Sequence, residues 1–354
     1  MNTNIKKLSE ITSRIVQAAT PADSNGAILS LSHFFVSITK DDNFSSSLST
    51  NNSDIILKNG IAISTVDAAL CLDDTIRTIT FLKGIHQAVH SLFERFPNER
   101  INILYAGCGP YATLLLPLLP LFQEEQLDIT LLDINEQSLT SVKSVIKHAG
   151  LSNYHIRTVK ADATRFTYPS EKKLHLLITE TMFYALIREP QLSVTAQLAP
   201  QLTQGGILIP ESIDLDLCCT LAGNEKRFDI SSATNKVRIS NAISERLELG
   251  KLFSLSKANS FSINKKKNEY YFISKTFEVP ENFSSYPDLC ITTHIKVFGD
   301  YVLNSGESAI TNPYCIASLY TFEKAQSFSL VYDFSAIPFW QVKNQREVDA
   351  QAPL

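Results

Sequence analysis

Glu180 and Glu189 stand nine positions apart (189 − 180) in the segment ITETMFYALIREP, residues 178–190. The first closes an apolar run and the second precedes a proline. Two carboxylates delivered by one loop are a pattern for holding a cation or moving a proton. Each also has an ordinary explanation, since strands often end in an acid and an acid before Pro190 suits a helix N-terminus. Upstream, INILYA is followed by Gly107–Cys108–Gly109. The missing side chains at Gly107 and Gly109 let backbone approach a ligand, and the helix start expected next offers free N–H groups. Asp133, with Ile134 beside it, ends the next apolar run, 24 positions after Gly109 (133 − 109). A carboxylate there can accept both hydroxyls of a ribose. Asp162, followed by Ala163 and Thr164, ends a third run, where an adenine edge can be read. Glycine turn, strand-end acid and strand-end polar residue, in that order, point to a nucleoside-bearing cofactor. A dinucleotide fits less well, because Ala112 stands where G-x-G-x-x-G has its third glycine.

The elements that must position these residues are legible from periodicity. INILYA (101–106), LDITLLDIN (127–135), HIRTVKAD (155–162), LHLLITE (174–180) and GGILIP (205–210) read as short apolar strands. A helix is predicted from Asn135 as N-cap, with Leu139, Val142, Ile146 and Ala149 on one face and Gly150 past its end. QLSVTAQLAPQL gives another. Strands alternating with helices make a doubly wound parallel sheet, an α/β domain. Pro117 and Pro120 shorten or kink the helix after the glycine turn. Past Pro210 come strands without regular helices between them, an antiparallel β domain. Ile5, Leu8, Ile11 and Ile15 are spaced for a short amphipathic helix near the N-terminus, ahead of a polar joint at residues 39–54. The predicted division is a helical extension and linker (1–60), a cofactor-binding domain (61–210) and a β domain (211–354).

Composition narrows the setting. Of 354 residues 44% are hydrophobic and 19% charged, and the net charge is −4, which gives no electrostatic footprint for nucleic acid. The basic run Lys265–Lys266–Lys267 reads as a solvated loop. The apolar run at 114–122 is too short for a bilayer and carries two prolines, so no membrane span is predicted. Six cysteines occur without a C-x-x-C pair or a histidine cluster, so no metal site is predicted. The N-terminus lacks the apolar core of a signal peptide, and scattered cysteines suit a reducing compartment. The reading is a soluble cytoplasmic protein.

From about residue 70 to 220 the chain resembles a class I S-adenosylmethionine (SAM) methyltransferase, and specifically the protein arginine N-methyltransferases. LDDTIRTITFLKGI (72–85) is similar to the family helix whose arginine holds the SAM carboxylate, which implies that role for Arg77 and places Asp74 near the active site. ITETMFYALIREP resembles the family's double-glutamate loop at the same separation. The fold so implied is a Rossmann-like domain followed by a β-barrel-like domain. The implied cofactor is SAM, held by Arg77, Gly107, Cys108, Gly109, Asp133, Ile134, Asp162, Ala163 and Glu180. The implied acceptor is an arginine guanidino group, on free arginine or a small guanidine ahead of a protein arginine, because no acidic tract is present to attract Arg/Gly-rich tails.

That resemblance gives the two glutamates a reason. A sulfonium and a protonated guanidinium near 4 Å repel by roughly 4 kcal/mol at an effective dielectric of about 20, or about three powers of ten in rate. Paired carboxylates engage the planar N–H fork of a guanidinium, orient one nitrogen and draw charge onto the others. A lysine ammonium has no such fork. A methyltransferase for a neutral amine or hydroxyl, or an inactive SAM-binding protein, are the alternatives.

The pattern departs from the family in places. Tyr105 stands where an acid is usual and Tyr111 where a third glycine is usual. No aromatic N-terminal motif closes over the cofactor, so residues 1–60 are either a different lid or a packing element. ITTHIKVF carries Thr293–His294 without a following tryptophan, and the resemblance implies a proton-accepting pair of His294 with Asp74. Residues 223–257 occupy the place of the family's dimerisation arm, which implies a homodimer, with Phe228, Ile230, Val237 and Ile239 as candidate covering residues.

Overall fold

The computed structural model describes residues 3–19, 21–39, 53–228, 245–260, 271–281, 283–322 and 327–344. The polar joint, Ile230, Val237, Ile239 and the lysine run lie outside them, apart from the joint's two ends. Helix α1 (Thr3–Gln17) buries Leu8, Ile11 and Ile15, the stripe its spacing predicts, and α2 (Pro21–Thr39) packs beside it. A short hairpin follows, β1 (Ile55–Leu57) and β2 (Gly60–Ala62), straddling the predicted boundary at residue 60. Next come α3 (Thr65–Leu70) and α4 (Thr75–Arg95). Asp74 caps α4 by accepting the Arg77 N–H at 3.2 Å, which sets Arg77 in the first turn.

Five strands then form one all-parallel sheet: β3 (Ile101–Ala106), β4 (Leu127–Asp133), β5 (His155–Lys160), β6 (Leu174–Thr179) and β7 (Leu202–Ile209). Their order is β5-β4-β3-β6-β7. The order reverses at β3, so the crevice for a ligand lies at the carboxyl ends of β3 and its neighbours. Those ends carry the glycine turn, Asp133, Asp162 and Glu180. Helix α5 (Glu136–Ala149) begins at Asn135, whose side chain accepts the Gln137 N–H at 2.9 Å, and stops at Gly150 with φ +80°. Helix α6 (Gln191–Leu198) joins β6 to β7.

No α-helix follows β3. Proline lacks the N–H and clashes with the preceding turn, and Pro110, Pro117 and Pro120 leave only 3-10 turns at Leu116–Leu121 and Glu124–Gln126. The N-terminal helices fill the place. Thr12 Oγ1 donates to the Pro117 carbonyl at 2.8 Å, and Phe35 of α2 stacks on Tyr111 with ring centroids 5.2 Å apart. Helices α1 and α2 are therefore packing elements of the sheet's own core.

The β domain comprises β8 (Ser212–Thr220), β9 (Leu247–Ser256), β10 (Tyr271–Ile273), β11 (Phe277–Glu278), β12 (Asp288–Phe298), β13 (Tyr301–Leu303), β14 (Tyr314–Ser318), β15 (Ser327–Asp333) and β16 (Phe339–Asn344). They form two antiparallel sheets, β13-β12-β8-β9 with β14 on β12, and β10-β15-β11 with β16 on β15. The predicted barrel is thus seen as two sheets, joined through aromatic side chains such as Phe253 against Phe272 and Trp340. Helix α4 docks on β12 at Gly84, where a Cβ would fall 2.6 Å from Val297 Cγ1. That contact sets the middle of α4 against the β domain.

Candidate functional site

A cavity of about 570 Å³ opens at the carboxyl ends of β3, β4, β5 and β6, in the range that suits a small-molecule ligand. Gly107, Cys108, Gly109, Asp133, Ile134, Asp162, Ala163, Arg77, Asp74, Glu180 and Glu189 all line it. Sequence reasoning named every one of them.

The glycine turn has a particular chemistry. Gly107 and Gly109 have φ of +71° and +64°, and a Cβ on Gly107 would fall 2.4 Å from Thr181 Cγ2. The N–H groups of Gly107 and Cys108 both donate to the Leu132 carbonyl, at 2.8 and 3.2 Å, and that of Gly109 to Asp133 Oδ2 at 2.9 Å. Residue 110 is a proline and has none. The turn therefore offers a ligand no N–H cradle over residues 107–110, contrary to the expectation from a helix start. A pyrophosphate needs such a cradle; a nucleoside without phosphate does not. Asp133 is tied down by two backbone donors, Gly109 and Asn135, and each oxygen keeps a lone pair for a ribose hydroxyl. Burial raises its carboxyl above the usual carboxylate range, against the N–H groups of Asn135, Gly109 and Ile134. Asp162 Oδ1 accepts from the N–H and hydroxyl of Thr164, which holds the third strand end in a tight turn.

The loop from Glu180 to Pro190 is strained and held from three sides. Ala185, Leu186 and Arg188 have φ of +53°, +56° and +67°, the left-handed region that non-glycine residues avoid at about 1 kcal/mol or more each. The β domain compensates. The Ala185 N–H donates to Thr293 Oγ1 at 2.9 Å, Trp340 Nε1 donates to the Ala185 carbonyl at 2.9 Å, and the Tyr332 hydroxyl donates to the Leu186 carbonyl at 2.6 Å. The Arg188 N–H donates to the Pro338 carbonyl at 2.7 Å. Gln191 anchors the root, its side-chain carbonyl accepting the Thr181 N–H at 2.8 Å. The hairpin β1–β2 closes the third side: the Ile61 N–H donates to the Arg188 carbonyl at 2.9 Å, and Gly60 lies so close that a Cβ would fall 2.8 Å from the Pro190 nitrogen. Of the two expectations for residues 1–60, a lid or a packing element, α1 and α2 show packing on the sheet, and the hairpin lies against the glutamate loop.

The two glutamates are electrically unlike. Glu180 forms a buried ion pair with Arg77. Glu189 is 8% exposed, and its carboxylate has no hydrogen-bond or ion-pair partner among the described residues. Burial pushes its carboxyl up to about 7, against the pull of Arg188 and Arg77. Arg77 also donates through Nη1 to the Cys71 carbonyl at 3.0 Å, yet its buried Nε has no partner. An orphaned guanidinium donor and an unpaired buried carboxyl in one cavity leave it short of one anion and one cation.

Asp74 is where the sequence places it but with a different partner. Its Oδ2 accepts from Ser308 Oγ at 2.7 Å and from the Ala309 N–H at 2.8 Å. His294 does not line the cavity. Neighbouring strand residues face opposite ways: Thr293 turns to the glutamate loop, and His294 turns away, across from Asp214 on β8. The predicted Asp74–His294 pair is not made. Tyr111 turns onto Phe35, away from the cavity, and Tyr105 lines it with a phenol that burial keeps un-ionised. Phe228 packs on its own β domain, its N–H donating to Asn312 Oδ1 at 2.8 Å.

Sequence reasoning missed Ser308, Gln191, Tyr332, Trp340 and the hairpin. Only Trp340 carried a signal, as the one tryptophan in the chain. No family model matches this chain, and no curated protein matches it. Among solved structures it is similar to a chain of the Trypanosoma brucei PRMT1 enzyme–prozyme heterotetrameric complex with AdoHcy, with 13% sequence identity and a TM-score of 0.49. The match covers 77% of this chain and 95% of that one.

Proposed function

We propose that this chain is a SAM-dependent N-methyltransferase acting on a guanidino group. The observation that carries the reading is the pair Glu180 and Glu189, delivered by one strained loop into the cavity that the glycine turn and Asp133 also line. The residues fit the cofactor. The glycine turn has no N–H to offer a phosphate, Asp133 has lone pairs for a ribose, and Arg77 Nε lacks the acceptor that an amino-acid carboxylate supplies. SAM contributes an electrophilic methyl group on a sulfonium.

The chain's own residues handle the acceptor. Arg77 would hold the cofactor's carboxylate through its orphaned Nε, and Glu180 would share its carboxylate between Arg77 and the acceptor's guanidinium. Glu189 receives the other edge of the same fork. A guanidinium entering beside it restores the charge that burial suppresses, so the carboxyl ionises as the acceptor binds. The two carboxylates orient one nitrogen toward the methyl and hold positive charge on the other two, and the proton that nitrogen loses passes to the Glu189 carboxylate. Asp74, through Ser308 and Ala309, holds the β domain against the cavity wall and is a positioning residue.

The same proposal takes free arginine or a small guanidine as acceptor ahead of a protein arginine, on the lack of an acidic tract in the sequence. A cytoplasmic location and a homodimer belong to the same proposal; among the described residues no helix is long and apolar enough to cross a membrane. Sedimentation velocity decides the dimer. Incubation with methyl-labelled SAM and a panel of free arginine, an arginine-rich peptide, amines and alcohols, with products identified by mass, decides the activity. Label on a guanidine supports the reading, and label only on an amine or alcohol refutes it.

A further inference from the structure

We propose that Arg188 makes this site selective for small guanidino acids, by binding the acceptor's carboxylate while Glu180 and Glu189 hold its guanidinium. The inference rests on the guanidine reading of the site and names its substrate class.

Among the described residues lining the cavity, two are cationic, Arg77 and Arg188. They are placed very differently. Arg77 is sunk in the interior and engaged by Glu180 and the Cys71 carbonyl. The Arg188 side chain is 45% exposed, at the mouth. Its backbone is pinned on both sides, the N–H to Pro338 and the carbonyl to Ile61. Its Nη2 donates to Asp54 Oδ2 at 2.8 Å, and Asp54 Oδ1 accepts the Ser64 N–H at 3.0 Å. A guanidinium has five N–H donors in a rigid fork. Nε and Nη1 of Arg188 have no partner among the described residues. Nη2 carries two hydrogens and Asp54 takes one, so the other, with Nε or with Nη1, leaves one two-pronged edge of the fork for a carboxylate in the bidentate geometry arginine favours.

Charge placement then sorts acceptors. Arg188 and Glu189 are consecutive, so one loop presents a cation for the acceptor's acid beside an anion for its guanidinium. The proximity is real: Arg188 is the strongest charge opposing the effect of burial on Glu189. A free guanidino acid satisfies both ends. An arginine inside a peptide has neutral amides where the acid would be, and an Arg/Gly-rich tail brings further cations that Arg188 repels. The competing view is that Arg188 is only a latch, holding the β1–β2 hairpin through Asp54.

The test compares kcat/KM for L-arginine with that for L-argininamide, which differs only in replacing the carboxylate by a neutral amide. The ratio is measured in the wild type, Arg188→Met and Asp54→Asn. A charge-assisted bidentate contact predicts a wild-type ratio of roughly ten to a hundred, falling to near one in Arg188→Met and retained in Asp54→Asn. A wild-type ratio near one, a ratio that survives Arg188→Met, or an equal collapse in Asp54→Asn overturns the proposal. If the wild type binds S-adenosylhomocysteine by calorimetry but methylates no guanidine at all, the underlying guanidine reading fails and this inference with it.

Discussion

The role proposed for Glu189 comes with a cost in stability, and the two can be separated by pH. Its carboxyl sits at about 7 in the folded protein against 4.5 for an ordinary glutamate, with burial as the cause. At about 1.36 kcal/mol per tenfold, a gap of roughly 2.5 pH units amounts to about 3 kcal/mol. The sign follows from which state holds the proton. Well below pH 4.5 both states are protonated there and the group contributes nothing. As pH rises toward 7 the unfolded chain ionises while the folded one keeps its proton, so stability falls; above 7 the loss is complete. Glu189→Gln keeps the shape and removes the titration. The variant is therefore expected to gain on the wild type as pH rises, by about 3 kcal/mol between pH 4.5 and 7.5, while losing methyl transfer by about a hundredfold or more. Urea unfolding at several pH values, followed by fluorescence of the single tryptophan, Trp340, reads the first effect. A stability difference that does not change with pH would show that Glu189 is already ionised and paired in the free protein, and the electrostatic account of the loop would fall.

Other perturbations probe other parts of the site. Gly107→Ala meets both a φ of +71° and Thr181 Cγ2 at 2.4 Å, so it is expected to destabilise by about 2–4 kcal/mol; Gly109→Ala meets Ala68 Cβ only at 3.6 Å and is expected to lose about 1 kcal/mol. Denaturation of the two variants side by side checks the contrast. Trp340→Phe strips the Ala185 carbonyl of its donor and is expected to destabilise by about 1–3 kcal/mol, lowering acceptor turnover more than S-adenosylhomocysteine affinity, as calorimetry and kinetics together would show. Arg77→Met leaves Glu180 buried and unpaired, with an expected cost of about 3–5 kcal/mol in stability, and it is expected to weaken S-adenosylhomocysteine at least tenfold by titration. Equal affinity in that variant would remove Arg77 from the cofactor site.

The parallel sheet and its ligand-bearing ends were legible because local signals state them directly. Asn135 and Gly150 mark the ends of α5 by capping chemistry that acts within a few residues. INILYA could be little but a buried strand. What the sequence hid was long-range. Nothing near Thr293 says that its hydroxyl will accept from Ala185, 108 residues away, or that its neighbour His294 will consequently face outward. A histidine beside a threonine looked like a catalytic pair for Asp74; strand alternation decided otherwise, and Ser308 took the place. The prolines after Gly109 signalled a short or kinked helix, but not that only 3-10 turns would form there, nor that α1 and α2 would come from the far N-terminus to cover the gap. The hairpin at 55–62 is too short to show periodicity, and its importance lies wholly in what it covers.

The central claim is that one loop presents two carboxylates to one guanidinium. A crystal structure of the protein with S-adenosylhomocysteine and L-arginine tests it most directly. The account predicts the guanidinium seated between Glu180 and Glu189, with the cofactor's carboxylate on Arg77. A guanidinium bound elsewhere, with Glu180 still closed on Arg77 and Glu189 facing no cation, would contradict it.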